Sequence, residues 1–169
     1  MARLEPWSRR PPEEANLFNP AFMCGLIHEF LKDFTKGHPD GAPLTTVIVA
    51  LTTSLHRASR ETLPHSTVRS LYEWLQENER LLIGFATRAK NLSPYIKEAI
   101  LFGMTCDAII VGDAHALLPG TMKSGFSQGF LDQTTSETKA IIDRTKFMGR
   151  WLTKSGSEVS IAAAWGIKP

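Results

Sequence analysis

Asn19 and Pro20 open the segment that most constrains how this chain can fold. An Asn side chain accepts from the free amides at a helix start, and a following Pro supplies a helical φ while giving up an amide that had no partner. Beyond them Phe22, Met23, Leu26, Ile27, Phe30, Leu31 and Phe34 recur at three- and four-residue spacing. That is a wide core stripe, not a cofactor box.

The spacing predicts further helices. Leu44, Val47, Ile48, Leu51 and Leu55 fit one, although the β-branched run Thr45 to Val49 would also tolerate a strand. Ser66 is placed to cap another that carries Val68, Leu71 and Leu75, and Glu79 to Lys90 reads as the next, with Leu81, Leu82, Phe85 and Ala89 inward. Ser93-Pro94 repeats the cap and first-position logic and predicts a helix reaching Asp107. Between these elements, Gly37 to Pro43 reads as a loop.

Ala108 to Val111, the turn Gly112-Asp113-Ala114 and the run His115 to Leu118 predict a small β-hairpin. Short helices followed by a hairpin suggest a winged helix-turn-helix. Gly120 to Gly129 reads as a flexible connection, Ser136 to Lys154 as a long amphipathic helix closed by Gly156, and Glu158 to Trp165 as a final short element. The fold expected is therefore mainly α, with about six helices, a winged-helix-like centre and a small hairpin, in a single domain over residues 15–169. Residues 1–14, with three prolines and Arg3, Arg9 and Arg10, are expected to form an extended arm.

A chain of 169 residues suits one domain, and a formal charge of +2 does not by itself announce nucleic acid. Cys24 and Cys106 each sit in an apolar stretch and read as two buried thiols rather than a disulfide, which suits a reducing cytoplasm. The N-terminal residues lack the apolar core of a signal peptide. No segment offers the roughly 20 apolar residues that span a bilayer.

Catalytic signals are few. Gly125-Phe126-Ser127-Gln128-Gly129 matches the G-x-S-x-G elbow of serine hydrolases, but that fold places its histidine after the serine, and the last histidine here is His115. The five histidines show no metal-ligand spacing and read as surface or capping groups; no metal and no cofactor are expected. Gly120 to Ser124 lacks the Gly-Lys-Ser/Thr of a P-loop, so any ATP chemistry must come from another protein.

Two stretches are basic: Arg57 to Arg60, and the helix bearing Lys139, Arg144, Lys146, Arg150 and Lys154. By helical period Ile141, Met148, Trp151 and Leu152 pack inward, leaving Lys139, Lys146, Arg150 and Lys154 exposed as candidates to face DNA. The presumed recognition helix offers only Lys97 beside Glu98, too little for a base-reading surface. Trp7, Arg9, Arg10, Glu14 and Phe18 combine aromatic and charged groups on the proline-stiffened arm and are candidate partner-binding residues.

The run Arg10-Pro11-Pro12-Glu13-Glu14-Ala15-Asn16-Leu17-Phe18-Asn19-Pro20-Ala21-Phe22, with the distant Ser155-Gly156-Ser157 and Gly166-Ile167-Lys168-Pro169, resembles the middle component of bacterial three-component ABC systems. The resemblance implies a non-catalytic adaptor that works beside an SMC-like or RecN-like coiled-coil ABC ATPase and an effector, possibly a nuclease, in antiphage or anti-plasmid defence of the Lamassu kind. It implies contact with DNA only through the complex. A winged-helix DNA-binding regulator is the alternative, and a hydrolase built on Ser127 the third reading.

Overall fold

A computed structural model describes residues 4–167; Arg3 of the arm and Lys168-Pro169 of the C-terminal motif lie outside the described residues. After a short helix α1 (Pro12–Leu17), helix α2 (Pro20–Phe34) starts as its sequence dictates. The Asn19 side-chain oxygen Oδ1 accepts from the amides of Ala21 at 2.9 Å and Phe22 at 3.4 Å. From Met23 to Leu31 every residue of α2 is buried, including His28 and Glu29. A helix with no wet side in this stretch must be covered all round. Helix α3 (Leu44–Leu55), α6 (Phe85–Thr105) and α8 (Ser136–Leu152) provide the cover. α2 and α3 each pack on both α6 and α8, whereas α6 and α8 scarcely meet.

Close approach of α8 to α2 depends on Gly149. A Cβ there would lie 2.7 Å from the Phe30 carbonyl oxygen, so only glycine permits this spacing. At the same C-terminal end of α8, Trp151 meets Trp74 of α5 (Leu71–Glu77) edge to face, with ring centroids 5.6 Å apart. Trp165, just beyond α9 (Glu158–Ala164), closes this aromatic cluster against Trp74 and Phe85.

The fold is mainly helical with one small hairpin, as the residues predict. β1 (Ile109–Val111) pairs antiparallel with β2 (Leu117–Pro119), with Ile110 opposite Leu118. Ala42 in the Gly37–Pro43 loop bridges to Leu117 on the other side of β2. Among the described residues there are nine α-helical stretches rather than six. The additional ones are short: α1, α4 (Arg57–Thr62) and α7 (Gln128–Gln133).

Three expectations about local structure are corrected. The separate helices expected on either side of Ser93-Pro94 are one helix, α6, which starts after Gly84 (φ +71°) and runs straight through Pro94. Ala89, Leu92, Ile96, Ala99, Ile100 and Gly103 form one continuous buried stripe along it, and this burial outweighs the roughly 3 kcal/mol that an interior Pro costs. The helix break that suggested a winged helix is therefore absent. Ser66 does not cap the next helix: Ser70 does, and Val68 is left exposed.

The 120–129 connection is not a free tether. The Gly120 amide donates to Ala108, Thr121 to Asp107, and Phe126 is packed on α2. A Cβ on Gly125 would lie 2.4 Å from the Gly25 carbonyl oxygen, a contact that pins loop to helix. Glu29 of α2 fastens the same loop. Its Oε1 accepts from the Gly125 amide at 2.7 Å and the Ser124 hydroxyl at 2.8 Å, while Lys146 of α8 stands 3.3 Å from Oε2.

His28 is fully buried rather than at the surface, its Nδ1 2.8 Å from the Ala108 carbonyl oxygen, while His56 does cap α4. The cysteines also split. Cys24 is buried on α2, and burial with its neighbour Cys106 pushes its thiol up to about 12, whereas Cys106 is exposed just after α6. Only the thiolate is nucleophilic. A maleimide reagent added to the native protein will therefore modify Cys106 alone, read by intact mass, and a second adduct will follow only on denaturation.

Candidate partner-binding groove

Because α6 and α8 diverge across the four-helix ring, a groove of about 1390 Å³ remains between them. One wall is α6 from Arg88 to Lys97. The other is the N-terminal half of α8, with Glu137, Thr138 and Ile141, extended by Phe130 of α7. Thr52 and Leu55 of α3 and Phe22 of α2 line it between these walls, and Asn16 to Asn19 with Leu4 contribute from the N-terminal segment. The lining is mostly apolar. Pockets for small ligands hold roughly 300–1,000 Å³, and this groove exceeds that range.

Its polar groups are distinctive. The Thr52 hydroxyl is buried and has no hydrogen-bond partner among the described residues. Arg88 gives Nη1 to the Ile83 carbonyl and Nη2 to Leu81, while its buried Nε finds no acceptor. Lys90 is exposed and makes no ion pair among the described residues. The carboxylate among the lining residues is that of Glu137, already held by Arg60 at 2.9 Å. Burial, then the charges of Arg88 and Arg60, hold His56 below the usual imidazole range and keep it neutral at the groove's edge.

The expected arm is corrected by the same wall. Residues 4–14 do not extend away from the domain: Trp7–Arg9 forms a 3₁₀ turn and Glu13 and Glu14 belong to α1. Arg10 is buried, its guanidinium making a two-pronged bond to Glu98 of α6 at 2.7 and 2.6 Å and a third to the Glu5 carbonyl. The bond to Glu98 outweighs burial and raises the Arg10 pKa. Glu14 accepts from the Tyr95 hydroxyl at 2.7 Å, and Phe18 packs on the Tyr95 ring with centroids 4.4 Å apart. Arg10, Glu14 and Phe18 thus bind this chain's own α6. A bidentate Arg–carboxylate pair is strong enough to hold a segment that prolines already stiffen. Trp7 and Arg9 remain exposed, Trp7 by 49%.

The basic face of α8 is also largely committed. Lys146 is half-buried on Glu29, Arg150 pairs with Asp33, and Lys154 donates to Thr67, leaving Lys139 exposed without an ion pair among the described residues. Met148, Trp151 and Leu152 are buried as helical period requires, while Ile141 is half-buried because it lines the groove. In the other basic stretch Arg60 is buried, bonded to the Ser54 and Leu55 carbonyls and Glu137. Ser127 is the N-cap of α7, its hydroxyl accepting from Phe130 at 3.2 Å, with no strand leading into the turn. No cluster of three or more metal-ligating side chains that could hold a metal occurs among the described residues.

A family model described as ABC-three component (ABC-3C) system Middle Component 3 matches residues 7–169. The chain belongs to this family. In this middle component the match takes in residues 7–14, the segment clamped to α6 through Arg10 and Glu98. No curated protein and no solved structure matches it. No helix among the described residues of the middle component is long and apolar enough to cross a membrane.

The sequence missed the groove because each lining residue comes from a helix whose period explains it as core. The signal available was Pro94 with Lys90, Asn91 and Ser93 near it, polar side chains that lie beside the unbroken apolar stripe of the same helix.

Proposed function

We propose that this middle component is a non-catalytic adaptor that docks on the ABC ATPase of its system, of the SMC-like or RecN-like kind, and couples it to an effector in antiphage or anti-plasmid defence. The observation that supports the reading is a large, mostly apolar groove on a chain whose candidate nucleophile and most of whose basic residues serve the fold. Apolar recesses of this size on an otherwise polar surface mark partner sites. DNA is engaged through the assembled complex, since two of the basic residues of α8, Lys146 and Arg150, are already paired with Glu29 and Asp33.

The test is co-purification of the tagged chain with the ATPase and third component encoded beside it. Trp7 rests on the domain through one long hydrogen bond, Nε1 to the Ala15 carbonyl at 3.4 Å, and leaves half its surface open. Trp7→Ala will therefore weaken assembly by about 2 kcal/mol, as loss of an aromatic anchor does, with an unchanged melting curve for the isolated chain. A lowered Tm with assembly intact would make Trp7 a packing residue only.

A further inference from the structure

The groove between α6 and α8 has the dimensions and chemistry of a seat for one more helix. An α-helix with side chains is about 10 Å across and rises 5.4 Å per turn, so each turn occupies roughly 400 Å³. A space of about 1390 Å³ thus takes roughly three turns. The two walls are themselves helices, and a helix between them packs ridges into grooves as α2 and α3 do against the same pair. Leu55, Leu92 and Ile141 supply the apolar surface such a helix would bury.

Charge narrows the occupant. The α6 wall carries Arg88, Lys90 and Lys97, and the opposing carboxylate, Glu137, is neutralised by Arg60. Two polar atoms of the lining residues, the Thr52 hydroxyl and Arg88 Nε, are buried without partners among the described residues, and buried polar atoms in folded proteins are nearly always bonded.

We infer that the groove between α6 and α8 binds an amphipathic helix of about three turns from a partner component of the system, one with an apolar face and carboxylates along its α6-facing edge. This rests on the adaptor reading above. The occupant's apolar face covers Leu55, Leu92 and Ile141, and its carboxylates meet Lys90 at the α6 edge. Phe130 lines the groove, is 40% exposed on α7, a helix with no buried residue, and stacks on Phe126 with ring centroids 5.4 Å apart, which makes it a position open to whatever sits in the groove.

The experiment uses the full chain in complex with its co-encoded partners. A photo-crosslinking amino acid replaces Phe130, the adduct is located by mass spectrometry, and Lys90→Glu with Asn91→Glu, both at exposed positions, is assayed for assembly. Capture of an acidic, helix-forming segment of a partner, with at least tenfold weaker assembly of the Lys90→Glu/Asn91→Glu variant at an unchanged Tm, is the expected result. Assembly that persists without a crosslink, or is indifferent to the charge reversal, would place docking elsewhere and overturn the proposal while leaving the adaptor reading intact. A crosslink to nucleic acid would overturn it in favour of single-strand binding. Failure of the wild-type chain to assemble at all would remove both.

Discussion

Replacing Trp151 by alanine will destabilise the domain by about 4 kcal/mol, the cost of emptying a fully buried indole site. Trp151 is 1% exposed, contacts Phe147 as well as Trp74, and donates Nε1 to the Arg69 carbonyl at 2.7 Å. It therefore joins α8, α5 and the segment before α5 at one point. Trp151→Phe keeps most of the packing and loses the hydrogen bond, so its cost will be about 1–1.5 kcal/mol. Chemical denaturation of the three proteins measures the series. A loss below about 1 kcal/mol for the alanine variant would mean that the cluster closes over the space and that α9 and α5 stand independently of it.

That cluster shows where the sequence was legible. Helical period placed Met148, Trp151 and Leu152 inward because a long amphipathic helix carries its own record of which side is covered. The start of α2 was equally plain, since an Asn-Pro cap acts within a few residues. The path of α6 was not. Ser93-Pro94 has the local chemistry of a helix start, and only the stripe from Ala89 to Gly103, packed on α2 and α3, carries the helix through it. Local chemistry and tertiary burial disagreed there, and burial, spread over several residues, prevailed.

The N-terminal segment failed for a related reason. Three prolines and three arginines suggest an arm, and nothing within fourteen residues announces that Arg10 has a carboxylate waiting at Glu98, 88 positions away. The groove combines both difficulties. It exists because α6 and α8 diverge, a property of four helices packed together that is written in no single one of them.

Glu29→Ala is expected to cost about 3–5 kcal/mol, the range for breaking a buried ion pair, and to free the 120–126 loop from α2. Burial alone would raise the Glu29 pKa. The Gly125 amide, the Ser124 hydroxyl and the charges of Lys146 and Lys32 outweigh it and hold the carboxyl below its ordinary value of 4.5. The unfolded chain therefore binds this proton more readily than the folded one. It follows that the stabilisation from Glu29 is complete above about pH 4.5 and drains away as pH falls through the lower folded value. Glu29→Gln keeps the shape and an accepting oxygen without the charge, so below pH 4.5 its Tm will fall less steeply than that of the wild type. Lys146 and Lys32 keep about a third of their side-chain surface in water, which lets them re-solvate and places the alanine cost toward the lower end of its range. Thermal melts of the three proteins from about pH 3 to 7, with protease cutting at the 120–126 loop as the local readout, decide the matter. Parallel Tm curves and an uncut loop in Glu29→Ala would show that Gly25 and Gly125, by their close backbone contact, hold the loop without the carboxylate.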